Sequence, residues 1–143
     1  MKSYTLEYRP DLRIMVLRWL RPTTLAEVQE SYAATLALAR QHACPDWLLD
    51  ARRTGPIEIE ETAWLANTFF PAAALHFAPR ALRLAVFSSP LRIEQLRTDA
   101  RVAPAVLHAL GADRPYQASV FANEGMAVAW LADAPPHSGA RLA

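Results

Sequence analysis

One cysteine, Cys44, is too few for an internal disulfide or a thiolate metal cluster. The four histidines, His42, His76, His108 and His137, stand far apart and lack the short spacing of a zinc site. Neither a metal nor a cofactor is therefore expected. No apolar run approaches the length of a membrane span, and Met1 to Thr5 has neither the apolar core nor the cleavage site of a signal peptide. The cytoplasm is the simplest address. Lysine is nearly missing, Lys2 being the sole one among 15 basic residues, yet the formal net charge is only +1. The clustered basic face of a nucleic-acid binder is not expected from that balance. Ser88 and Ser89 lack the neighbouring glycines that let a nucleophile elbow turn sharply, which leaves them a capping role.

What is present is an ordinary globular composition, 52% hydrophobic and 20% charged over 143 residues. A chain of this length buries roughly two thirds of its unfolded surface, enough for one core. Two short segments rich in Tyr, Val, Ile, Leu and Trp, from Tyr4 to Tyr8 and Arg13 to Leu20, flank Pro10 and Asp11 and predict an antiparallel hairpin. Thr24, with Glu27 three residues on, predicts a capping box, and Leu25, Val28, Tyr32, Leu36 and Ala39 repeat at helical spacing. That helix should stop near His42, ahead of Pro45. Trp47 to Ala51 reads as the third strand, and a second helix starts near Ile57 or Glu58 and ends before Pro71. Leu82 to Phe87 makes the fourth strand. Leu91 to Gly111 reads as two short helical pieces divided at Pro104, Tyr116 to Phe121 as the fifth strand, and Glu124 to Leu131 as a closing helix.

Strands separated by helices join a sheet in parallel. The expected fold is thus α/β, a mixed five-stranded sheet with an antiparallel N-terminal hairpin, its remaining strands parallel, covered by four or five helices. A single domain spans residues 1–133, and 134–143, with Pro135, Pro136 and Gly139, forms a flexible tail.

This element order, with Trp47-Leu48-Leu49-Asp50 before Arg52 and Arg53, Trp64 before Phe69-Phe70-Pro71, and a final helix ending Ala129-Trp130-Leu131, resembles the STAS or SpoIIAA-like superfamily. The likeness is greatest to its stand-alone bacterial STAS/SEC14-like proteins. The resemblance implies a non-enzymatic regulatory or interaction module that meets protein partners around the second helix and the loop leading into it. In anti-sigma factor antagonists of that superfamily a Ser at this helix start is phosphorylated. Here the stretch reads Thr54, Gly55, Pro56, Ile57, Glu58, Ile59, Glu60, with no serine, so the usual phospho-switch is not expected unless Thr54 or Thr62 takes its place.

The candidate contact residues are Arg52, Arg53, Thr54 and Glu58, at the end of the third strand and the mouth of the helix, where open α/β sheets carry their sites. Arg80, Arg83 and Arg92 flank the next strand and would extend the same edge. The alternative is that these arginines pair with Asp50 or with Glu58, Glu60 and Glu61, as scaffolding. Phe70 and Phe77, if left uncovered, would favour a homodimer. A second function stays open beside the protein-contact role: binding of a small anionic or amphipathic ligand in a cleft between the sheet and the second helix. No nucleophile, acid-base pair or metal set marks an enzyme.

Overall fold

Two strands, β1 (Tyr4–Arg9) and β2 (Ile14–Trp19), run antiparallel in register from Tyr4 opposite Trp19 to Arg9 opposite Ile14. In the computed structural model, which describes residues 2–133, the connecting loop is four residues long, Pro10 to Arg13. The Arg9 carbonyl accepts the Leu12 and Arg13 amides, and Arg13 takes a left-handed φ of 56°. Arg13 therefore belongs to the turn and not to the second strand, because a left-handed residue cannot continue a ladder. The tail expected over 134–143 lies outside the described residues.

Helix α1 (Leu25–Gln41) begins with the capping box expected at Thr24 and Glu27, and its buried face presents Val28, Tyr32, Thr35 and Ala39. Burying a residue of the size of Val28 stabilises by roughly 2 kcal/mol. β3 (Asp46–Asp50) is an interior strand, parallel to both β2 and β4 (Arg83–Phe87), and β5 (Gln117–Phe121) extends the sheet beyond β4. The order is β1-β2-β3-β4-β5, a mixed sheet with one antiparallel pair.

Because each parallel crossover advances the sheet in the same direction, right-handed connection puts all of them on one face. That face carries α1, then α2 (Ile59–Trp64), a π-helical turn over Leu65–Phe69, and α3 (Phe70–Ala74) as one continuous helical run. The β4–β5 crossover adds α4 (Pro90–Thr98) and α5 (Ala103–Ala109), and α5 packs on α2 and the π turn. Among the described residues, α6 (Glu124–Ala132) alone covers the other face, with Ala127 and Leu131 against Ile14, Val16, Leu48, Ala85 and Phe87. Period-two alternation sorts β3 accordingly. Trp47, Leu49 and Ala51 enter the α1 face and Leu48 the α6 face.

Three expectations need correction. The second helix does not end before Pro71 but runs through it to Ala74. The π turn, where the Phe70 amide reaches back five residues to the Leu65 carbonyl, widens the helix just ahead of the proline ring and its missing donor. Pro104 does not divide the 91–111 segment either. It sits in the first turn of α5, where its missing amide costs nothing, and the break falls earlier, between Thr98 and Ala103. Phe70 and Phe77 are 5% and 7% exposed, packed on Tyr32, Tyr116 and Trp47, so they offer no apolar surface for a second copy.

Candidate functional site

Parallel strands end together, and the loops after them meet at one edge of the sheet. At that edge, on the face covered by α1 to α5, a cavity encloses about 100 Å³ of water-accessible space. Its floor is Trp19, Leu49, Val86, Ala118 and Val120 from four adjacent strands. Of these, Val86, Ala118 and Val120 are only partly covered, because the short helices of the last crossover lean on α2 more than on the strands. Leu65, Phe70, Val106 and Leu110 supply apolar walls from the helices.

Three titratable groups interrupt this apolar lining. Tyr32 comes from the buried face of α1 and is 3% exposed, with Trp19, Phe69 and Phe70 around it at ring distances of 5.3, 5.2 and 5.6 Å. Burial holds its hydroxyl well above the ordinary tyrosine range, with the charge of Glu61 adding and that of Arg92 opposing. Glu61 lies in the first turn of α2. Burial raises its carboxyl, and the nearby Arg92 guanidinium pulls it back. Arg92 lies in the first turn of α4, whose Ser89 cap accepts the Arg92 amide. Burial lowers its guanidinium below the usual arginine value, against the attraction of Glu61, Tyr32 and Glu58.

The loop from β3 to α2 is strapped down over this space. Arg92 Nη1 donates to Thr54 Oγ1 and to the Gly55 carbonyl, both at 2.8 Å. The Gln95 side chain accepts the Ile57 amide at 2.8 Å and donates to the Ile57 carbonyl at 3.2 Å. Gly55 adopts φ +84°, a left-handed conformation that its lack of Cβ makes inexpensive.

The four residues expected to form a contact surface are divided between the two faces of the sheet. Thr54 lines the cavity. Arg52 turns to the opposite face, where its Nε and Nη2 meet Asp50 at 3.0 and 2.8 Å and its guanidinium lies 4.3 Å over the Phe87 ring. Arg53 and Glu58 are exposed on either side of Thr54 in the loop. Asp50 joins Arg18 as well, and Arg18 bridges on to Glu124 at the start of α6. Desolvation pushes the Asp50 carboxyl up, but the hydrogen bonds from Arg52 and Arg18 outweigh it and hold the group below the ordinary range. Two arginines and two carboxylates neutralise one another there, so this cluster fastens α6 to the sheet.

The remaining arginines do not converge on the same edge. Arg80 precedes β4 and Arg83 is its first residue, so both stand at the opposite end of the parallel strands, on the Ala43 carbonyl and on Leu131 and Trp130. Ser89 caps α4 as expected, whereas Ser88 is buried and lines the cavity instead. The Cys44 thiol, raised by burial, faces backbone carbonyls of Arg13 and Asp46, while His42 stacks on Tyr8 at 4.1 Å. Among the described residues no group of three or more His, Cys, Asp or Glu side chains is placed to hold a metal, and no helix is long and apolar enough to cross a membrane.

Tyr32 and Glu61 did not stand out in the sequence as site residues. Tyr32 occupies an apolar row of α1 and reads as core. The signal it carried was its hydroxyl, which needs a partner wherever the ring is buried. Compared with known protein families, characterised proteins and solved structures, the chain matches none.

Proposed function

We propose that this domain is a cytoplasmic binding module for a small amphipathic ligand, held between the sheet and α2, and that it works by binding without catalysis. The observation that carries this reading is the partly open apolar cavity into which Tyr32, Glu61 and Arg92 are brought from three different helices. Protein interiors are packed nearly as densely as organic crystals, and a void at a strand-end edge lined by one buried and two half-buried ionisable groups is costly to keep for stability alone. Ligand binding offsets that cost.

Native mass spectrometry of the protein as purified should show a bound mass, or a thermal-shift screen with small acids, alcohols and acyl compounds should find a stabilising one. Ligand at a hundredfold excess over its Kd adds about 2.7 kcal/mol. Absence of both signals sinks the reading.

A second reading, protein contact of the STAS type, is favoured by one feature of the loop. Thr54 belongs to the cavity wall while Arg53 and Glu58 face solvent beside it, so a partner seated on that loop would sense occupancy through the Arg92–Thr54 bond. The partner surface is then smaller than the one drawn from Arg52, Arg53, Thr54 and Glu58 together. Charge reversal at Arg53 and Glu58 should abolish partner recovery in pull-downs, and an unaltered yield removes this reading.

A further inference from the structure

Arginine offers carboxylates a side-on edge made of Nε and Nη2. Arg9 presents that edge to Asp11 at 3.0 and 2.7 Å, and Arg52 presents it to Asp50 at 3.0 and 2.8 Å. Arg92 departs from the pattern. Its Nη1 is committed to Thr54 and Gly55, which fixes the guanidinium plane against the loop. Its Nε is buried and has no hydrogen-bond partner among the described residues. Glu61 influences Arg92 only through space and forms no ion pair with it among the described residues. A buried charged donor without an acceptor is among the costlier defects a fold can carry. Arg92 itself lines the cavity just described.

We propose that the cavity selects a small monocarboxylate, its carboxylate facing the Arg92 guanidinium and its short apolar body against Leu49, Leu65, Phe70, Val106 and Val120. This inference rests on the ligand-binding reading above and adds the chemical class of the ligand. Arg92 is the single cation among the described lining residues, which matches one negative charge and not the two of a phosphate monoester. Space of about 100 Å³ is less than the roughly 150 Å³ that takes benzene, so a chain of two or three carbons fits and a long acyl tail does not. Glu61 also lines the cavity, where burial raises its carboxyl and the Arg92 guanidinium draws it down.

The test compares propionate with its isosteric amide, propionamide, and with propylamine and inorganic phosphate, by calorimetry and ligand-observed NMR on the whole protein. Propionate should bind about tenfold or more tightly than propionamide. R92K, which keeps the charge and loses the fork, should erase that preference, and E61Q, which removes a carboxylate from the lining, should not weaken it. Equal binding of acid and amide, or tightest binding of the amine or of phosphate, overturns the carboxylate assignment while leaving the ligand-binding reading intact. If none of the four probes binds, the carboxylate assignment falls, and the native mass spectra and thermal-shift screen decide the ligand-binding reading. The acid–amide comparison in the unaltered protein decides the question even if R92K does not fold.

Discussion

Leu48 and Leu49 are adjacent, chemically identical and each 1% exposed, yet they face opposite layers, and truncating them should have different consequences. Leu48 sits in the packed layer beneath α6 with Ala85, Phe87 and Leu131, whereas Leu49 borders the cavity. Leu→Ala in a core costs about 2.7–5.0 kcal/mol, rising by about 24 cal/mol per Å³ of void left behind, so such voids differ by up to about 100 Å³. L48A opens a new void of that order and should cost about 3–4 kcal/mol. L49A should cost about 2–3 kcal/mol, because one side of Leu49 already lacks contacts to lose. At roughly 4 °C per kcal/mol for a chain of this size, the two variants should melt roughly 14 and 10 °C below the unaltered protein. L49A adds its lost volume to the existing space of about 100 Å³ and should pass the roughly 150 Å³ at which benzene enters; L48A should not. Urea melts give the stabilities, and thermal melts under saturating benzene give the binding. If benzene stabilises both variants equally, or neither, the assignment of the cavity to the α2 face is wrong.

Loss of the Gln95 strap, in Q95A, removes both hydrogen bonds to Ile57 and should cost about 1–2 kcal/mol, with faster amide exchange at Ile57; unchanged exchange there would show the strap to be idle. G55A meets no atom within 4 Å of the added Cβ, so its whole cost is the left-handed φ, about 1–2 kcal/mol in urea melts, and a larger loss would mean that the loop is packed more tightly than described. Asp50 and Glu124 have carboxyls held below their ordinary range, so the stability they add is full above about pH 4 and is lost as pH falls through their lower folded values. E124Q should flatten the acid side of the stability curve, and an unchanged curve would remove the role of Arg18 as the fastener of α6.

Much of the architecture was legible because it rests on local rules. Thr24 and Glu27 specify a helix start wherever they stand, and the continuous apolar run Trp47-Leu48-Leu49 demands an interior strand with both faces covered. Pro71 and Pro104 were misread for the same reason as each other. Proline forbids a hydrogen bond, but whether the chain answers with a stop, a π turn or a new first turn depends on neighbouring packing. Phe70 and Phe77 illustrate the companion difficulty, since a ring's exposure is set by elements distant in sequence such as Tyr116 and Trp47.

For the candidate site, sequence located the strand-end edge and the cleft between sheet and second helix, but not the groups that matter within it. Arg52 and Arg92 look alike as residues beside strand ends. Their roles diverge because Arg52, two residues after Asp50, finds a carboxylate on its own loop, while Arg92 spends one nitrogen on the loop and leaves another buried beside the cavity. Local periodicity, caps and apolar runs were enough to settle which segments become strands and helices, since each depends on residues a few positions apart. Which arginine is neutralised, which face each side chain enters and where the packing leaves room depend on contacts across tens of residues, and those exist only once the crossovers have closed.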